Sequence, residues 1–299
     1  MNGIPSSTYF SAPPEWGWWI VFYFFFGGLA GGCYFLGALI DLFGRTEDRP
    51  LARLGYYISF PCILISAFLL TIDLHRPLRF WHMLIESNTF RPMFKPWSPM
   101  SLGSWALLIF GIFSLLAFLS ALAEAGRLNW QGARRFRPPG ILGGLILVVG
   151  GVLGFYVAGY TGVLLAVTNR PIWSDTPLLG MLFVVSAGSI SAALMILLAD
   201  KSRANMPGLL ALHRMDAWVV ALEFLVLVAV MISLGPVLRA WLNAWGLLLF
   251  VGVILLGMWL PLVLYWRQRG EVKFATTAAL VLLGGFLLRL VVVFSAQGV

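Results

Sequence analysis

The string Thr71-Ile72-Asp73-Leu74-His75-Arg76-Pro77 sets a carboxylate, an imidazole and a guanidinium within four residues, where a long apolar segment ends. An imidazole changes charge near neutral pH, and a neighbouring carboxylate can orient it or resupply its proton, so the pair suits general acid–base work. Tyr160, followed by Asn169-Arg170-Pro171-Ile172-Trp173, adds a phenol, an amide, a guanidinium and an indole. Glu124, Asp216 and Glu223 form a third set of carboxylates within or beside apolar segments. Ionisable groups in such surroundings are costly and mark candidate sites.

The elements that hold these groups follow from composition. Of 299 residues, 60% are hydrophobic and 11% charged, and the mean hydropathy is +0.91. That excludes a soluble globular domain. Eight windows have the length of about 20 apolar residues needed to cross a bilayer. They are 18–43, 55–74, 102–124, 141–167, 178–199, 217–234, 242–266 and 274–295. Their continuity rules out barrel strands, so the backbone must satisfy itself as helices. The expected fold is all-α and integral to the membrane, a single domain with helices one to four in 18–167 and helices five to eight in 178–295. The first 17 residues carry no lysine or arginine, so the first helix reads as retained rather than as a signal peptide.

Of 20 basic residues, thirteen fall in one set of connections. They are Arg45, Arg49 and Arg53; Arg127, Arg134, Arg135 and Arg137; Lys201, Arg203 and Arg214; and Arg267, Arg269 and Lys273. The opposite set holds Arg76, Arg79, Arg91, Lys95, Arg170 and Arg239. Because cytoplasmic loops retain basic residues, both termini are expected outside the cytoplasm. This asymmetry accounts for the net charge of +8, and no basic patch with interleaved aromatics points to nucleic acid. Cys33 and Cys62 lack the spacing of a zinc site or a disulfide framework. His75, His82 and His213 lie at helix ends or in a loop, which argues against a membrane-spanning bis-histidine haem.

With that topology, Tyr23 early in helix one, Asp73 and His75 after helix two, and Tyr160, Asn169, Arg170 and Trp173 at the end of helix four share the outer level. The long connection 75–101, with Trp81, Phe90, Phe94 and Trp97 and four prolines, reads as a semi-rigid cover over that level. Hydrogen-bonding groups beside aromatic walls suit a quinone head, whose two carbonyl oxygens must each receive a hydrogen bond and then a proton. Gly27-Gly28-Leu29-Ala30-Gly31-Gly32 and the glycines of helix four are small-residue faces that let helices approach closely. Asp216 reads as a solvated end flanking helix six. Glu223 lies deeper and can either relay protons or pair with Arg289 or His213.

The glycine run of helix one, the string Gly159-Tyr160-Thr161-Gly162-Val163-Leu164-Leu165-Ala166 followed by Asn169-Arg170-Pro171-Ile172-Trp173, and Gly284-Gly285-Phe286-Leu287-Leu288-Arg289 resemble the NrfD/PsrC family. These are quinone-reactive integral membrane subunits of polysulfide reductase-type molybdoenzyme complexes. The resemblance covers essentially the whole chain. It implies a prokaryotic inner-membrane subunit with no haem or metal of its own, using menaquinone or ubiquinone as substrate. The implied partners are a four-cluster ferredoxin-like iron–sulfur subunit on the outer face and a molybdenum catalytic subunit. In similar members a fourth-helix tyrosine contacts the quinone, which carries over to Tyr160. The amide and histidine of their first helix have no counterpart in Trp19-Ile20-Val21-Phe22-Tyr23, where only Tyr23 is polar apart from the indole, so Asp73 and His75 gain weight. Some members are proposed to translocate protons, for which Glu223, Glu124 and Asp216 are the candidates. Two other classes fit an apolar bundle: a structural anchor without quinone turnover, and a secondary transporter, against which the one-sided polar cluster and the lack of a repeat both count.

Overall fold

The computed structural model describes residues 15–138, 140–199, 207–267 and 274–297. Among these described residues are eight helical spans long and apolar enough to cross a membrane. They comprise α1 (Trp18–Phe43), α2 (Arg49–Asp73), α3 (Pro99–Glu124), α4 (Ile141–Ala166), α5 (Leu179–Leu198) and α6 (Pro207–Leu234). The seventh span is composite: α7 (Ala244–Leu248) runs through a π-helical stretch (Leu249–Trp259) into α8 (Leu260–Arg267), and α9 (Phe274–Ser295) completes the bundle. Pro261, which has no backbone N–H to give, follows directly on the wide π turns.

Two expected helix starts move outward along the chain. Helix α2 begins at Arg49 rather than Gly55, with Pro50 in the first turn where the missing N–H costs nothing. Helix α6 begins at Pro207 rather than Ala217, so His213 and Asp216 lie inside it and are buried, not at a solvated end. The backbone N–H of Gly208 donates to Asp48 Oδ1 at 2.9 Å, which caps the start of α6. In the connection before α3, Pro77–Met83 winds into a 3₁₀ turn and Ile85 pairs with Pro92.

Helix α1 is the axle of the bundle. Its most apolar window is 78% buried, against 33% for α6, and it packs on α2, α4, α5 and α9. Glycine makes this possible. A Cβ on Gly31 would strike the carbonyl of Gly154 on α4, and one on Gly32 would strike Ser191 and the carbonyl of Ala187 on α5. Tyr34 adds a tether by donating its hydroxyl hydrogen to the carbonyl of Ile146 at 2.9 Å. Gly31→Leu should therefore force α1 and α4 apart and destabilise the bundle by about 1–3 kcal/mol or more. Yield and thermal unfolding in detergent check this.

The two ends of the bundle differ. At the arginine-rich end, Arg137 is buried and makes ion pairs with both Asp41 of α1 and Glu124 of α3. Tyr56 of α2 donates to the same Asp41 at 2.9 Å. The other end carries the connection between α2 and α3. That cover is fastened onto the start of α3 by Trp105 Nε1 donating to Met93 O at 2.9 Å and by the backbone N–H of Lys95 donating to Ser101 Oγ at 3.0 Å.

Candidate functional site

Two phenols meet below the covered end. Tyr160 lies on α4 two turns before its C-terminus, and its ring fills the space that a Cβ on Gly103 of α3 would need. Tyr156, one turn earlier, stacks on it with ring centroids 5.9 Å apart and is 40% exposed, whereas Tyr160 is 6% exposed. The inner ring is thus shielded from the bundle surface by the outer one. Tyr23 of α1 is 1% exposed and within electrostatic reach of Tyr160. Its hydroxyl is buried without a hydrogen-bond partner among the described residues. Leaving such a group unmet costs about 1–3 kcal/mol, so it is an uncommon arrangement outside binding sites.

Glycine again makes the room. The Cβ position of Gly27 lies 3.7 Å from Tyr23 Cε2, 3.7 Å from Ser66 Oγ of α2 and 3.8 Å from Thr161 Cγ2 of α4. Tyr23, Ser66 and Thr161 therefore converge on a point that carries no side chain. The wall around it is built by α1, α2 and α4, with α3 behind Tyr160.

The expected acid–base pair stands apart from this point. His75 is exposed, adopts φ 56°, and its Nδ1 lies 2.8 Å from the carbonyl of Asp73. Among the described residues no hydrogen bond or ring contact joins Asp73 or His75 to Tyr160 or Tyr23. The Asn-Arg-Pro-Ile-Trp string acts as a wedge. Asn169 is exposed and Arg170 is buried. Ile172 takes φ 70°, strained for a β-branched residue, and Asp175 holds it there by accepting its N–H at 2.9 Å. The turn drives Trp173 fully inside, where it stacks on Trp16 at 5.0 Å and donates Nε1–H to Val292 O at 2.6 Å. With its only donor engaged, Trp173 can offer a ligand nothing but a face.

Behind the phenols runs a polar file. Arg289 of α9 is fully buried, and its Nε donates to the carbonyl of Phe24, the residue after Tyr23, at 3.1 Å. Its Nη1 donates to Gly285 O at 2.7 Å and to Ser186 Oγ of α5 at 3.0 Å. Gly28 leaves room for the guanidinium, since a Cβ there would sit 3.0 Å from Nη2, and Phe183 lies 5.3 Å from its centre. Glu223 of α6 accepts from Ser189 at 2.7 Å and lies within electrostatic reach of Ser186 and Arg289. Two helical turns further toward the arginine-rich end, Asp216 faces a small cavity shared with His213, Tyr265 and Thr277. Asp216 Oδ1 and Thr277 Oγ1 are buried there without partners among the described residues. Glu124 lies outside this file, held by Arg137 and within 4.0 Å of Arg49.

The sequence reading missed Tyr156, Ser66, Gly103, Ser186 and Ser189. The four-residue spacing of Tyr156 and Tyr160 on one helix was a usable signal for the first. The others are ordinary small residues whose role appears only when helices distant in sequence are packed together. Among the described residues, no group of three or more His, Cys, Asp or Glu side chains could hold a metal ion.

The chain matches the family described as "Polysulphide reductase, NrfD" over residues 8–299. It is 28% identical to the C component of polysulfide reductase from Wolinella succinogenes, over 94% of this chain and 94% of that protein. It is 27% identical to protein NrfD of Escherichia coli strain K12, over 94% and 95% respectively. A shorter stretch, 30% of this chain, is 26% identical to the C component of selenate reductase from Mesobacillus selenatarsenatis and covers 18% of it. With eight apolar spans, and with a family match that takes in every one of them, the chain is a multi-pass protein of the prokaryotic inner membrane and belongs to the polysulphide reductase NrfD family.

Proposed function

We propose that this chain is the quinone-reactive membrane subunit of a multisubunit, molybdoenzyme-type reductase, exchanging electrons between membrane menaquinone or ubiquinone and an iron–sulfur partner docked on the covered end. The observation that carries this reading is the Tyr23 hydroxyl, buried without a hydrogen-bond partner among the described residues and within electrostatic reach of Tyr160. Two phenols are a donor set suited to two carbonyl oxygens. When bound, a quinol supplies two electrons and two protons. Tyr160 donates a hydrogen bond to one head-group oxygen, and Tyr23 is positioned to serve the other from the floor of the site. Tyr156 flanks the approach from lipid, and the aromatic walls exclude water. Asp73 and His75, half-buried and exposed at the edge, are placed to pass protons to the outer aqueous phase.

The covered end suits a protein partner. Leu78, Phe90 and Trp97 expose 88%, 74% and 78% of their surface on an ordered segment, more apolar display than a solvent-facing connection usually carries. By the distribution of basic residues this end faces away from the cytoplasm. The polysulfide and selenate reductase names of the relatives support a partner of the reductase type.

The polar file supports proton coupling as a second feature of the same subunit. Asp216 and Glu223 lie seven residues apart on one helix face, about 10 Å by the helical rise. From Glu223 the file continues through Ser186 and Arg289 to the backbone beside Tyr23. Quinone titration of the intact complex tests the main reading. Tryptophan fluorescence should be quenched saturably by a soluble quinone analogue and restored by a site inhibitor. A linear, inhibitor-insensitive response would leave only a structural anchor.

A further inference from the structure

A separate cavity of about 280 Å³ opens at the arginine-rich end, between the first turns of α2 and α6 and the last turns of α3 and α5. Its wall is mainly apolar, with Leu54, Leu198 and Leu209 among the lining, and two cations, Arg53 and Arg127, stand at it. Two arginines at this end have carboxylate partners, Arg137 with Asp41 and Glu124, and Arg49 with Glu124 at 4.0 Å. Arg53 and Arg127 make no ion pair among the described residues. The guanidinium of Arg127 lies over the Tyr57 ring, 5.9 Å from its centre. That ring is itself fixed by a 2.9 Å hydrogen bond from its hydroxyl to Ala121 O.

Two guanidinium groups without an ion-pair partner among the described residues, beside a chamber of leucines at the end of a membrane bundle, combine an anion site with an apolar slot. We propose that this cavity binds an anionic glycerophospholipid, its phosphate between Arg53 and Arg127 and the start of one acyl chain along Leu54, Leu198 and Leu209. A free phosphate would satisfy the arginines and gain nothing from the leucines. A zwitterionic lipid would fill the slot but bring its own cation to two others. Basic pockets between helices on the cytoplasmic side are suited to such head groups. The site is distinct from the phenol pair and does not depend on how that pair is read.

The test uses the full-length protein in detergent, followed by thermal unfolding and native mass spectrometry. Dioleoyl phosphatidylglycerol should raise the unfolding temperature saturably and be retained at one molecule per protein, while phosphatidylcholine, glycerol phosphate and inorganic phosphate should not. Arg53→Ala or Arg127→Ala should each weaken the lipid effect about fivefold and the pair about 30-fold, with exposed Arg135→Ala unchanged as a control. Ala125→Phe, which fills the cavity and keeps both arginines, should abolish the effect. Equal stabilisation by phosphatidylcholine, equal binding of glycerol phosphate, or a double variant that binds as tightly as the parent overturns the proposal. Should the double variant not be recovered folded, Ala125→Phe decides, and tight binding by it is the overturning result.

Discussion

Tyr160→Phe should assemble normally and lose quinol-dependent electron transfer by about 100-fold or more, the range seen when a positioned proton donor is removed. The substitution deletes one oxygen and leaves the ring that packs against Gly103 and Tyr156. Tyr23→Phe should behave differently in one respect. Its hydroxyl is buried without a partner among the described residues, so removing it relieves a desolvation cost and should stabilise the ligand-free protein by about 1 kcal/mol. The same change should weaken quinone binding. A variant that is more stable and binds less well is the signature of a group held for a ligand, whereas a purely structural tyrosine would lose stability on the same substitution. His75→Ala separates the roles further: proton exit at the edge predicts a slower, more pH-dependent turnover with quinone affinity retained. Quinol-oxidation kinetics of the reconstituted complex with an artificial electron acceptor reads all three. Unchanged turnover in Tyr160→Phe would remove the phenol from the reaction.

The fold was legible because a bilayer leaves few choices. Twenty apolar residues in a row must form a helix, and eight such rows define the bundle. The start of α6 slipped for a local reason: residues 207–216 include His213, Arg214 and Asp216, which look like a polar connection, yet His213 and Asp216 are buried in the bundle and only Arg214 of the three stays exposed. Glycine was read correctly as a marker of close approach, as the Gly31–Gly154 contact shows. What spacing could not convey was that Gly28 accommodates a guanidinium rather than a helix backbone. The outer site was harder. Depth along a helix follows from sequence position, and the reading placed Tyr23, Tyr160, Asp73 and His75 at one level. Direction around the helix axis does not follow for helices apolar on every side, because the periodicity that would fix it is absent. Tyr23 and Tyr160 come within electrostatic reach of each other, while the ring of His75 bonds to its own backbone.

Arg289 and Glu223 provide the second large effect. Arg289→Met should destabilise the bundle by about 3 kcal/mol, because it leaves the carbonyls of Phe24 and Gly285 and a buried carboxylate without their cation. Methionine approximates the length of the arginine stem and avoids a large cavity, so the loss reports chiefly the polar groups. Glu223→Gln alone should cost less, since an amide can still accept from Ser189. In the double variant the uncompensated charge is gone, and part of the stability should return, giving a coupling of about 0.5–3 kcal/mol in a double-mutant cycle on thermal unfolding. Simple additivity would mean that the two groups do not interact. The cycle also separates structure from proton transfer. A relay through Glu223 requires that Glu223→Gln, folded and stable, uncouple quinol oxidation from acidification across a proteoliposome membrane while leaving electron transfer intact. A carboxylate present only to balance Arg289 would leave that ratio unmoved, because Phe24 and Tyr23 keep their positions as long as the arginine remains.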